Sequence, residues 1–114
     1  MIKRIDEIKV TTEENKGGNV KMFLSDLRDF NGLNDKVSLY ALVRLLPGEE
    51  VEFHVHTGET EIYYILSGKA LYDDNGEKLE LDAGDVTFTP DGSGHGIKNI
   101  GQETLRFMAL VVKN

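Results

Sequence analysis

From Val37 onward the chain switches at close intervals between short apolar or alternating runs and turn residues, and this rhythm constrains the fold more than any other feature. Strands are expected over Val37 to Leu46, Val51 to His56, Glu61 to Leu66, Lys69 to Tyr72, Lys78 to Leu81, Asp85 to Phe88, Ile97 to Ile100 and Leu105 to Val112. Between them, Pro47-Gly48, Thr57-Gly58, Asp74-Asn75-Gly76, Asp82-Ala83-Gly84 and Pro90 to Gly94 each supply a residue that tolerates a turn backbone. Asn75-Gly76 is the strongest hairpin signal, because a type I′ turn requires positive φ at both central positions. Strands this short and this closely spaced imply an all-β sandwich or barrel. No segment carries a convincing long amphipathic helix pattern. The start is less regular: Lys9 to Asn19 is polar and ends in Gly17-Gly18, which reads as a flexible loop. Val20 to Leu24 is compatible with a leading strand, and Asp26 to Phe30 with one helical turn at most.

A length of 114 residues suits one domain with one core, so residues 1–114 are expected as a single unit: an irregular segment 1–36 and a barrel 37–114. No apolar run is long enough to cross a bilayer, which sets a membrane partner aside. Lys3, Arg4, Asp6 and Glu7 interrupt the stretch where a secretory signal would be apolar, so a cytoplasmic location is expected. Cysteine is absent, which removes disulfides and thiolate chemistry and leaves any metal to histidine and carboxylate. The net charge is −7 and the 13 lysines and arginines are scattered, which argues against a nucleic-acid partner.

The chain has three histidines, and His54 and His56 lie two apart on an expected strand, so their side chains leave the same face. Burying both rings unpartnered costs on the order of 1 to 3 kcal/mol each, which favours a shared partner over plain packing. In a closed barrel, inward residues of neighbouring strands meet, so His95 and Glu61 could join the pair around one ion, although Glu61 beside Glu59 also fits a solvated acidic turn. Imidazoles plus a carboxylate suit Mn, Fe, Co, Ni, Cu or Zn, and four protein ligands on a six-coordinate ion leave two positions open. With the histidines so used and no serine in an elbow sequence, no nucleophile triad and no catalytic acid or base can be assigned.

Two motifs then stand in register. Gly48-x5-His54-x-His56-x4-Glu61-x6-Gly68 and Gly84-x5-Pro90-x-Gly92-x2-His95-x3-Asn99 match both signatures of the cupin superfamily without a departure, and the chain resembles small single-domain bacterial cupins loosely labelled oxalate-decarboxylase-like. The resemblance implies a double-stranded β-helix, a jelly-roll barrel, holding one divalent transition metal through His54, His56, Glu61 and His95. It implies turn-forming roles for Gly48, Gly68, Gly84, Pro90 and Gly92, and a structural hydrogen-bonding role for Asn99. Cupins include oxygenases, decarboxylases, isomerases, sugar-binding regulators and storage proteins, so the family does not select a reaction. The expected ligand is a small organic acid or sugar-like molecule, bound by an enzyme or by a non-catalytic sensor. True oxalate decarboxylases resemble two such domains in tandem, which sets that substrate aside.

If His54 and His56 point inward, then Val51, Phe53 and Val55 point outward, as do Ile62, Tyr64 and Leu66, against Glu61, Tyr63 and Ile65 inside. Phe88 and Met108 are expected to join the inner face around the metal. A wall apolar on both faces needs an outer cover, expected from the N-terminal segment and from a second copy in a homodimer. Arg44 and Arg106 are the arginines within expected strands; outward ion-pairing is favoured over an inward grip on a substrate carboxylate.

Overall fold

The computed structural model describes residue 2 and residues 4–13, 19–23 and 35–114, with the strands over 9–13 and 19–23 described as backbone only. The single turn expected at Asp26 to Phe30 lies outside the described residues. Among the described residues, a 3₁₀ turn at Ile5–Glu7 is followed by ten strands: β1 Lys9–Glu13, β2 Asn19–Phe23, β3 Val37–Leu45, β4 Glu50–Val55, β5 Glu59–Ser67, β6 Lys69–Asp74, β7 Glu77–Asp82, β8 Val86–Thr89, β9 Gly94–Asn99 and β10 Leu105–Lys113. They form a six-stranded sheet in the order β1-β2-β3-β10-β5-β8 and a four-stranded sheet in the order β4-β9-β6-β7. Every described pairing is antiparallel. This is the all-β double-stranded β-helix expected. No described helix is long and apolar enough to cross a membrane.

Alternation explains why these segments are strands. Along β3, β5 and β10 every second residue is buried between the sheets, and Val43, Leu45, Tyr63, Ile65, Leu105, Phe107 and Ala109 from them meet Ala70, Tyr72 and Ile97 from the other sheet. Asn75 has φ +52 and Gly76 φ +104, the left-handed pair the β6–β7 hairpin needs. Gly68, between β5 and β6, has φ +94, and a Cβ there would sit 2.9 Å from the Leu105 Cα, so both conformation and space demand glycine. Asn99 is buried where β9 ends; its amide donates to the Leu45 carbonyl at 2.9 Å and the Glu103 carbonyl at 2.8 Å, and its oxygen accepts from the Gly101 N–H at 2.9 Å. That is the structural role expected of it.

Several expectations are corrected. Lys9 to Glu13 is not loop but β1, paired with β2 from Lys9↔Phe23 to Glu13↔Asn19; Val10, Thr11 and Thr12 favour extended backbone, and polarity suits a sheet edge. These two strands widen the six-stranded sheet and do not lie across its outer face. Val51 points inward, 7% exposed, because β4 carries a bulge: Val51 pairs with Ile97 and His54 with His95, so Glu52 and Phe53 together oppose Gly96. Phe88 and Met108 face outward, since Ile62↔Phe88 and Tyr64↔Met108 are cross-strand partners on the outer side. Thr87, Thr89 and Phe107 take the inner places. Arg44 and Arg106 are cross-strand neighbours on the outer face, so neither reaches the barrel interior.

Candidate metal centre

The bulge in β4 is what aims the first histidine. By placing two residues opposite Gly96, it puts His54 in register with His95 while Val51 stays in the core. Gly96 is suited to this close approach, as a Cβ there would lie 3.0 Å from the Phe53 nitrogen. His56 lies just past β4 and is held to the turn before β9: its N–H donates to the Ser93 carbonyl at 3.0 Å, and its carbonyl accepts from the Gly92 N–H at 2.8 Å. Asp91 in that turn accepts from the Gly58 N–H at 2.7 Å and from the Asn114 side chain at 3.0 Å, joining the loops that follow His56 and precede His95. Glu61 reaches the same point from β5 in the other sheet.

The four residues meet. One ligand atom from each of His54, His56, Glu61 and His95 lies within 4.8 Å of the others, a cluster that could hold a metal ion. Glu61 Oε1 is 2.8 Å from both His56 Nε2 and His95 Nε2 and 4.0 Å from His54 Nε2, and the two former nitrogens are 3.1 Å apart. The three imidazoles meet edge to face, with ring centroids 4.7 to 5.0 Å apart. Tyr63 stacks on His95 at 4.7 Å and closes the inner side.

Each imidazole is also held from behind. His54 Nδ1–H donates to the Glu52 carbonyl at 2.8 Å, and His56 Nδ1–H to the Glu59 carboxylate at 3.1 Å. His95 Nδ1 meets the Tyr72 hydroxyl at 2.8 Å and the Thr89 hydroxyl at 2.9 Å, both able to accept. A carbonyl or carboxylate can only accept, so the Nδ1 proton is fixed on His54 and His56 and the lone pair of each neutral ring sits on Nε2. The Nε2 lone pairs of His54 and His56 and the Glu61 oxygen therefore face one common point, with His56 Nε2 2.8 Å from Glu61 Oε1, an arrangement that a cation would satisfy. The donor set fits a transition metal.

With protons on the rings in place of a cation, burial raises the Glu61 pKa, but hydrogen bonds from His54 and His95 and positive charge on His95 and His56 outweigh it and hold the carboxyl at about 2. Burial lowers the His95 pKa, against the pull of Glu61, so the ring is neutral at neutral pH. Burial, together with the Glu61 charge, keeps Tyr63 protonated, and burial does the same for Tyr72. The His54 side chain is 30% exposed, against 9%, 4% and 0% for His56, Glu61 and His95, so the cluster opens on the His54 side.

Comparison with known proteins agrees with this architecture. Residues 41–112 match the Cupin domain family. The chain is 38% identical over 113 residues to the oxalate-binding protein of Thermotoga maritima, covering 98% of this chain and 93% of that one. This chain is a cupin. A crystal structure of a predicted oxalate decarboxylase from T. maritima matches the cupin with a TM-score of 0.85 and 36% identity, covering 100% of both chains. The oxalate decarboxylase OxdC of Bacillus subtilis is 34% identical over 102 residues, 85% of this cupin but only 26% of that protein.

The residues behind the clustered side chains escaped sequence reasoning. Glu59 resembled an ordinary acidic turn residue beside Glu61, and Tyr72 and Thr89 lie on strands whose inward phase became clear only with the register. The one available signal was parity: Glu59 and Glu61 are two apart on β5 and share a face.

Proposed function

We propose that this cupin holds one divalent transition metal ion per chain through His54, His56, Glu61 and His95 and binds a small dicarboxylate of the oxalate type at its open side. The observation that carries the reading is the convergence of three imidazoles and one carboxylate oxygen behind the partly exposed His54 side chain. When bound, the ion supplies a Lewis-acidic centre for a ligand carboxylate. The chain's own part is to hold three neutral imidazoles and an ionised Glu61 in place and to wall the site with Tyr63. The name of the T. maritima relative supports the ligand class and brings back oxalate, which the tandem-domain argument had set aside. Among the described residues, the phenols of Tyr63 and Tyr72 stay protonated and Glu59 lies behind His56, so no free general base stands beside the cluster. This favours a binding role over a catalytic one.

We further propose a homodimer, built on the outer face of the six-stranded sheet, where Tyr40, Tyr64, Leu66, Val86 and Phe88 are exposed.

Metal content measured on untagged protein, followed by calorimetric titration with oxalate before and after chelation, tests the reading. About one ion per chain is expected, with oxalate heat only in the loaded form and no formate or carbon dioxide released. Less than about half an ion per folded chain, or equal oxalate binding after chelation, overturns it.

A further inference from the structure

Strand β5 sends two carboxylates to opposite edges of one imidazole. Glu61 lies 2.8 Å from His56 Nε2, and Glu59, two residues earlier on the same face, lies 3.1 Å from His56 Nδ1. The turn at Thr57-Gly58 makes this bracket possible by bringing the chain back beside the residue it has just left. Glu59 is itself anchored, because its second oxygen accepts from the Ser38 hydroxyl of β3 at 3.0 Å. Among the described residues, the group behind the His56 ring is a carboxylate. His54 has a backbone carbonyl behind it and His95 a pair of hydroxyls.

We infer that Glu59 is a positioning residue for the metal centre, fixing the His56 ring and raising the electron density of its Nε2, with Ser38 holding Glu59 in place; this rests on the cluster being a metal site. A carboxylate behind an imidazole ligand pins the tautomer and strengthens the ligand, and loss of such a partner weakens metal binding by about 10- to 100-fold. Glu59 also offsets charge: with ionised Glu61 it balances a divalent ion among neutral rings.

The test measures Mn²⁺ affinity by chelator competition in the full chain, with the visible spectrum of the Co²⁺-loaded protein as a second readout. Glu59→Gln keeps an acceptor for Nδ1–H but loses the charge, and should weaken Mn²⁺ binding about 10-fold; Glu59→Ala should approach the 100-fold end. Both should shift the Co²⁺ bands while leaving the urea midpoint of the metal-free protein in place. Ser38→Ala should move affinity the same way by less. Wild-type affinity and an unshifted Co²⁺ spectrum in Glu59→Gln overturn the inference while the metal reading stands. Failure of the wild-type chain to hold Mn²⁺ or Co²⁺ overturns both.

Discussion

The two faces of β5 are built on opposite principles. Inward, Glu59, Glu61, Tyr63 and Ile65 run from a hydrogen-bonded carboxylate through the candidate ligand to closed core, each fixed by a named neighbour. Outward, Ile62, Tyr64 and Leu66 lie beside Met108, Leu110, Val86 and Phe88 in a continuous apolar field, with Tyr64 45% and Phe88 59% exposed. An inner face of this kind is intolerant of change because each polar atom there depends on a specific partner, whereas the outer face gains only by being covered. Substitutions should therefore separate by face.

The largest effect is expected inside. His95→Ala should abolish metal retention and also destabilise the fold, since the ring is fully buried, its loss leaves a cavity, and it takes one partner from the Tyr72 and Thr89 hydroxyls. His54→Ala should abolish retention equally but change the urea midpoint little, its side chain being 30% exposed. Asn99→Ala provides the opposite split, keeping the metal while costing about 2 to 4 kcal/mol for three lost hydrogen bonds. Metal content and urea denaturation on the three variants check this pattern, and equal metal loss in all three would break it.

How much of this could be read without coordinates follows from what each feature depends on. The barrel and the four clustered residues were legible because strand period and turn chemistry are local, and because His54, His56, Glu61 and His95 sit in two motifs of fixed spacing. The bulge was not: Val51 to His56 reads as unbroken alternation, and the extra residue shows only against Gly96 on β9. Gly94 and Gly96 likewise hid the start of β9, since glycine carries no strand signal although close approach to β4 requires it there. Thr87 and Thr89, polar yet inward, reversed the expected phase of β8, and the Thr89 hydroxyl meets Tyr72 and His95 there. In each case the missing information was the identity of a cross-strand partner.

Acid should act through the inner face as well, with a smaller and graded effect on the metal-free protein. Glu61 has a folded pKa of about 2 against an ordinary 4.5, so its ionised form stabilises the fold above pH 4.5 and that contribution drains away as pH falls toward 2. Its full size is on the order of 3 kcal/mol. His95, lowered by burial from 6.5, adds a loss that begins as pH drops through 6.5, because the unfolded ring takes up a proton more readily than the folded one. Urea stability of the apo protein should therefore decline steadily below pH 6.5. The gap between wild type and Glu61→Gln should narrow below pH 4.5, and a gap that widens there would refute the assignment.

The smallest effect on folding belongs to the outer face. Phe88→Asp replaces a ring already 59% exposed at the edge strand of the six-stranded sheet, where no core contact is lost, so the unfolding free energy of the isolated chain should change by no more than about 0.5 kcal/mol. Metal content should be unchanged, since Phe88 points away from the cluster while its neighbours Thr87 and Thr89 point inward. If that face is covered by a second copy, two-fold symmetry places the new charge in the interface twice, and light scattering at micromolar concentration should report half the wild-type mass. A wild-type mass equal to one chain would remove the dimer and leave the apolar field to another partner. A dimeric mass retained in the variant would put the interface elsewhere on the barrel.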